Sequence, residues 1–267
     1  MRKQPNTRQA PPQRPRPETK KLLRVTGFPA VSALFATAPE RIEKLFFDQK
    51  TKIQAGAFCS EMARTRKPYR LVEAEEMEKV AGTMLHGGIV ALAQPRLIPD
   101  FSPTEAAKWA HENQLLLLLD GVSNPHNFGA ITRTAAFLGI PRIILSDHPA
   151  QALPSDASYR VAEGGMEHVE LYRGRNFIQQ LKKLQQSHRI VGTAAEGGQP
   201  LANLKRSDRS FALILGNEEE GISAETLQAC DDIVTISGSG AVQSLNVSAS
   251  AAILIYALNA LPAPKGK

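Results

Sequence analysis

Residues 115–119 are five consecutive leucines, and they run straight into Asp120-Gly121. A surface strand alternates apolar and polar positions. A strand that is apolar at every position reads as buried on both faces, as in a parallel sheet covered by helices. The next residues, "VSNPHNF", form a polar turn. Ala130, Ile131, Thr134, Ala135 and Leu138 then recur at helical spacing. One arginine, Arg133, sits inside that helical segment at a place that reads as buried.

The alternation continues to the end of the chain. "RIILSD", "RIVGTA", "FALILG" and "DIVTIS" read as strands. "NFIQQLKKLQQS", "SAETLQAC" and "SLNVSASAAILIYAL" read as helices, with Ser223 placed to cap the second. The expected fold class is therefore α/β, a parallel sheet flanked by helices, over residues 114–262. A small α/β unit precedes it over residues 22–95. It holds a short helix, a strand from Ile42 to Phe47, a strand feeding a helix in "YRLVEAEEMEKVAG", and a strand from Ile89 to Ala93. A proline-punctuated linker with a short amphipathic helix, residues 96–113, joins the two units. Trp109 and Phe101 in it read as packing residues rather than base-stacking ones. No internal repeat is visible.

Charge is spread unevenly. Residues 1–24 carry eight Lys or Arg against one acid, a net +7, while the rest has 24 basic and 25 acidic residues. Residues 1–21 read as a disordered basic tail suited to phosphate contact, the plainer alternative being a solubilising tail. No apolar run approaches the roughly 20 residues of a membrane helix. The charged, proline-rich start does not read as a signal peptide, so the chain reads as cytoplasmic. The two cysteines, Cys59 and Cys230, lack ligand-spaced neighbours and read as ordinary thiols. No metal is expected, and Glu218, Glu219 and Glu220 read as a solvated loop rather than a magnesium site.

In parallel sheets ligands bind beyond the carboxyl ends of the strands. Three loops rich in Gly, Asn and Ser fall there: "DGVSNPHNFGAITR", "GNEEEG" (216–221) and "SGSGAVQSLN" (237–246). Such residues let backbone approach a ligand closely. There is no GxxxxGK[ST] loop and no GxGxxG after the first strand, which disfavours NTPases and Rossmann enzymes. There is no GxSxG elbow and no HExxH. His126 reads as a solvent-facing turn residue.

Taken in order, the three loops resemble the signature motifs of the SPOUT superfamily, in its SpoU/TrmH branch of RNA 2′-O-ribose methyltransferases. The first motif centres on N-x-G-x-x-x-R, here Asn127, Gly129 and Arg133. The second is G-x-E-x-x-G, here Gly216, Glu218 and Gly221. The third is S-L-N-V-S, here Ser244 to Ser248. The segment before Pro95 resembles the L30e-like substrate-binding domain of several members, through "HGGIVAL". The resemblance implies a C-terminal trefoil knot, S-adenosylmethionine as cofactor, RNA (tRNA or rRNA) as substrate, and a homodimer with the site near the subunit interface. It implies cofactor contacts at Gly216, Ile236 and Leu245, with Thr193, Asn217, Gly221 and Asn246 beside them. It places Asn127, Arg133, Ser244 and Asn246 toward the reacting ribose, with Glu218 supporting the first loop.

A ribose hydroxyl is a weak nucleophile, and the family arginine is often cast as its base. A guanidinium has a pKa above about 12 and does not readily give up a proton. Arg133 is better read as a clamp on phosphate and developing alkoxide. The structural alternative is an arginine paired with a carboxylate such as Glu218. The chain departs from the resemblance at Ile236-Ser237-Gly238, where members carry Ile-Pro, and at Asn124, where they carry Asp. Ala162 to Gly165 also stand where members show Ser-x-Gly-Ala. A rival reading is an RNA-binding or assembly protein that keeps the fold without turnover. A third is methylation of a base nitrogen.

Overall fold

The computed structural model describes residues 21–112 and 114–261. The expected basic tail lies outside the described residues, apart from its last residue, Lys21.

The first unit is a four-stranded sheet with helices. Its elements are β1 (Leu23–Thr26), α1 (Phe28–Thr37), β2 (Ile42–Phe47), α2 (Gly56–Arg64), β3 (Tyr69–Leu71), α3 (Ala74–Ala81) and β4 (Ile89–Ala93). The strand order is β1-β4-β2-β3, with β4 antiparallel to both neighbours. The linker folds into α4 (Pro103–Trp109), capped by Ser102. Trp109 lies 6.2 Å from Phe101 and 5.2 Å from Tyr172, ring to ring, with the Arg142 guanidinium over its face. These aromatics hold the linker against the larger unit.

That larger unit is the parallel sheet the leucine run predicts. It comprises β5 (Leu116–Asp120), α5 (Pro125–Phe137), β6 (Arg142–Ser146), α6 (Asp156–Ala162), β7 (Glu170–Gly174), α7 (Phe177–Leu184), β8 (His188–Thr193), β9 (Gln199–Pro200), β10 (Ser210–Gly216), α8 (Ala224–Gln228), β11 (Asp232–Thr235) and α9 (Val247–Ala260). The order is β7-β6-β5-β10-β8-β11-β9, and every pairing is parallel. Residues 116–120 are buried at every position, as are all seven of β10 beside them. Helices α5 and α9 cover one face of these strands, and α4 and α7 cover the other. The chain leaves β5 toward β6 and later returns to insert β10 on β5's other side. That reversal opens a crevice at the C-terminal ends of β5 and β10, where such sheets bind ligands.

The two units share one apolar core. Across the seam, Arg41 Nη1 lies 2.9 Å from both oxygens of Glu167, and Arg41 Nη2 donates to the Tyr159 hydroxyl at 3.0 Å. Burial, with Glu167 close by, pushes the Tyr159 phenol up to about 12, so it stays neutral and accepts. Among the described residues no helix is long and apolar enough to cross a membrane.

Candidate active site

At the end of β5 the chain turns over residues 121–124 into α5, and each backbone N–H of that turn has a partner. Those of Gly121 and Val122 both donate to Gln151 Oε1, at 3.0 and 3.1 Å. The Gln151 amide in turn donates to the carbonyls of Val122 and Ala152. The N–H groups of Ser123 and Asn124 donate to Glu218 Oε2 and Oε1, at 3.0 and 3.1 Å. Ser123 Oγ and Asn127 Nδ2 add bonds of 2.9 and 2.8 Å to the same carboxylate. Asn124 caps α5, its Oδ1 accepting from His126 N at 2.8 Å. The Asn found in place of the family's Asp therefore still performs the cap. His126 is exposed, but it lies in the first helical turn rather than in the loop.

Glu218 is saturated by four donors. Partial burial works against its ionisation, but the bonds from Asn127, Ser123 and Asn124 outweigh this and hold the carboxyl below its ordinary value. A carboxylate whose oxygens are filled is an anchor, not a base. A carboxylate can only accept, so Asn127 must present its Nδ2 to it. That turns Asn127 Oδ1 toward Asn246, whose Nδ2 donates at 3.1 Å. Asn246 caps α9 and accepts from Ser248 N at 2.8 Å and Ser248 Oγ at 2.6 Å. One polar chain thus links the second loop, the first loop and the third.

The second loop is shaped by backbone contact. Asn217 and Gly221 exchange both N–H···O bonds, at 2.9 and 3.0 Å. A Cβ on Gly216 would lie 2.4 Å from the Gly221 carbonyl carbon, so only glycine fits there. Asn217 ties the loop to the first one through Nδ2 on the Gly121 carbonyl at 2.8 Å, and its Oδ1 accepts from Glu219 and Glu220 N–H. Glu219 and Glu220 are exposed. Among the described residues no group of three His, Cys, Asp or Glu is placed to hold a metal. Burial pushes the Cys230 thiol up to about 12, with Asp231 and Asp120 adding to it, so it stays protonated.

A cavity of about 840 Å³ opens among these loops. Asn127, Thr193, Gly216, Asn217, Glu218, Gly221, Ile236, Ser244, Leu245 and Asn246 all line it. Its floor is apolar, with Leu215, Ile222, Val234 and Leu254 beneath the polar loops. A pocket of this size, with polar walls over an apolar floor, suits a nucleoside-sized ligand. The third loop is less constrained. Residues 237–246 are exposed throughout. Among the described residues, 237–245 make one hydrogen bond, Ala241 N to Ser239 Oγ at 3.4 Å.

Arg133 departs from expectation in two ways. It is exposed, not buried, and it does not line the cavity. Phe128, Ile131, Thr132 and Ala135 take the buried face of α5. Six residues past Asn127, Arg133 is turned away by about a third of a revolution and displaced by ~9 Å along the axis. Its partner is Glu163, at 2.9 Å, and not Glu218. Gly129, the other fixed position of the first motif, serves helix packing. A Cβ there would lie 2.6 Å from the Ser158 carbonyl on α6. Gln151 is the residue that sequence reasoning missed. It stands 30 residues from Gly121, in a loop with no recognisable pattern.

A parallel sheet whose polar loops close on one nucleoside-sized cleft, with a second α/β unit fixed to its flank, defines a two-unit α/β enzyme scaffold. The chain belongs to the SpoU rRNA Methylase family, whose profile matches residues 114–256. The profile for RNA 2′-O ribose methyltransferase substrate binding matches residues 24–98. The chain is 34% identical over 236 residues to the uncharacterized tRNA/rRNA methyltransferase YfiF of Escherichia coli O157:H7, covering 87% of this chain and 66% of that one. It is 33% identical to the 23S rRNA (guanosine-2′-O-)-methyltransferase RlmB of Pasteurella multocida, covering 87% of this chain and 95% of that one. The AdoMet-bound rRNA methyltransferase of Sinorhizobium meliloti shares the fold. Its TM-score is 0.72 at 20% identity, over 90% of this chain and 87% of that one.

Proposed function

We propose that this chain transfers a methyl group from S-adenosylmethionine to a ribose 2′-hydroxyl of a tRNA or rRNA. The observation that carries the reading is the bonded chain Glu218–Asn127–Asn246, which gathers all three loops at one cleft. The cleft fits the cofactor. The Gly216, Ile236 and Leu245 backbone would hold its adenosine and methionine parts, with Thr193, Asn217 and Gly221 beside them. When bound, the cofactor supplies an electrophilic methyl on a sulfonium.

The protein's own task is to position the nucleophile. Asn127 Oδ1 accepts one bond from Asn246 and keeps a second lone pair, from which it takes the hydrogen bond of the ribose hydroxyl. Ser244 and Asn246 bound the same spot from the third loop. Arg133 clamps an RNA phosphate on the outer side of α5. Glu218 acts as a positioning residue for Asn127. Orientation and charge complementarity then supply most of the rate.

The working unit is a homodimer. Phe137 at the end of α5 and Ile253 and Tyr256 on α9 are 87%, 41% and 68% exposed. These two helices pack together, and Asn259 Nδ2 donates to the Leu138 carbonyl. An apolar face built from both suits a second copy.

The first experiment is calorimetric titration of S-adenosylmethionine into the wild type and Leu245→Arg, followed by methyl transfer to total tRNA and to ribosomal RNA. Binding that Leu245→Arg abolishes, with 2′-O-methyl product, supports the reading. No binding with or without RNA would overturn it in favour of an RNA-binding protein without turnover, and would implicate the Ser237-Gly238 start of the third loop. A methylated base in place of a methylated ribose would overturn the choice of acceptor.

A further inference from the structure

Glu163 occupies an unusual backbone position. It closes α6 in the left-handed conformation, φ 44 and ψ 46. Glycine or asparagine is the ordinary choice there, and a residue with a long side chain is strained. Strain kept by a charged side chain points to work done by that side chain. Its carboxylate reaches Arg133 Nη2 at 2.9 Å, with both side chains about half exposed. The turn that carries it is tightly held. A Cβ on Gly165 would lie 3.0 Å from Arg133 Cα, and one on Gly164 would lie 3.0 Å from the Pro29 carbonyl of the first unit. Two residues further, Glu167 grips Arg41, and Arg96 Nη1 donates to the Met166 and Val169 carbonyls. The turn is therefore fixed to both units, and it presents a carboxylate to Arg133 on the outer side of α5.

We propose that Glu163 is a built-in competitor for the RNA phosphate: it occupies the Arg133 guanidinium in the free protein and is displaced when a substrate phosphate binds there. This rests on the reading of Arg133 as a phosphate clamp. A carboxylate and a phosphate take the same fork of guanidinium donors, so Arg133 satisfies one or the other with that fork. The ion pair is exposed, so displacement is easy and the competition is mild. Arg133 is thereby held near its working position and withheld from adventitious anions.

The test is a double-mutant cycle on the full chain, read as the dissociation constant for total tRNA and for ribosomal RNA fragments at fixed ionic strength. Glu163→Gln should tighten RNA binding up to about fivefold, the most that an exposed ion pair supplies. Glu163→Gly, which also relieves the backbone strain, should tighten it equally. In an Arg133→Ala background neither change should have any effect. Unchanged or weaker RNA binding in Glu163→Gln would overturn the proposal. So would a gain that persists without Arg133, which would mark a general charge effect, or a gain seen only in Glu163→Gly, which would mark a backbone effect. If Arg133→Ala by itself leaves RNA binding and methyl transfer intact, the phosphate-clamp reading fails instead, and the two failures are distinct.

Discussion

The first and third loops line the same cleft and are built in opposite ways. In the turn 121–124 every backbone N–H is committed, to Gln151 or to Glu218. Among the described residues, the segment 237–245 makes a single long hydrogen bond, and each of its residues is exposed. Asn127 belongs to the fixed side and Leu245 to the loose side, and Asn246 joins them. The two loops divide the labour. The half assigned to the ribose is preorganised, as positioning a weak nucleophile requires. The half assigned to the cofactor has little internal bonding to lose and can close around what it binds.

The largest effect should come from removing the fixed side's buried support. Gln151→Leu keeps the volume but leaves the buried N–H groups of Gly121 and Val122 without an acceptor. Unsatisfied buried donors cost about 1–3 kcal/mol each, so a loss of about 3 kcal/mol in urea unfolding is expected. A loss below about 0.5 kcal/mol would show that water replaces Gln151 and that the turn is not held from beneath. Glu218→Gln should cost less, about 1.5 kcal/mol near neutral pH, because three of its four bonds come from exposed residues. The carboxyl ionises more readily in the folded chain than in the unfolded one. Its contribution is therefore complete above the ordinary carboxylate range and is lost as pH falls through the lowered folded value. Wild-type and Glu218→Gln stabilities should differ by a constant amount at pH 6–8 and converge below about pH 4. A gap that widens on acidification would contradict the anchoring role.

Most of this arrangement was legible where the signal is local. The leucine run announced β5 and its burial because burial on both faces erases alternation. Ser223 announced α8 through its cap. Asn127, Glu218 and Asn246 were singled out through the resemblance to the family's three motifs, and the structure bonds them to one another at one cleft. Other parts left no local trace. Helix α6 ends in Glu163-Gly164-Gly165, which reads as a turn. Helix α2 fully buries only Met62, with Phe58 and Cys59 half-buried on the same core. Strand β9 has two residues. Arg133 read as buried because its neighbours are apolar, yet the helical period places it on the open side. Its partner Glu163 and the role of Gln151 are contacts between segments distant in sequence, which no pattern within either segment encodes.

The smallest effects should fall on the loose side, and they sharpen the contrast most. Substitutions at Gly238, Ser239 or Val242 remove almost no bonding and should shift stability by less than about 0.5 kcal/mol. The loop's energy lies in the complex, not in the free chain. Hydrogen exchange resolves this directly. Amides of residues 237–245 should exchange rapidly in the free protein and slow by about one to two orders of magnitude with saturating S-adenosylmethionine, since binding suppresses the local openings that release the ligand. Amides of residues 121–124 should be slow in both states. If 237–245 were already protected without ligand, the loop would be held by contacts made elsewhere, such as a second copy across the α5–α9 face. Protection that appeared only at high protein concentration and was lost on dilution would identify that copy as the agent, and would move the cofactor loop from an adaptable element to part of the dimer.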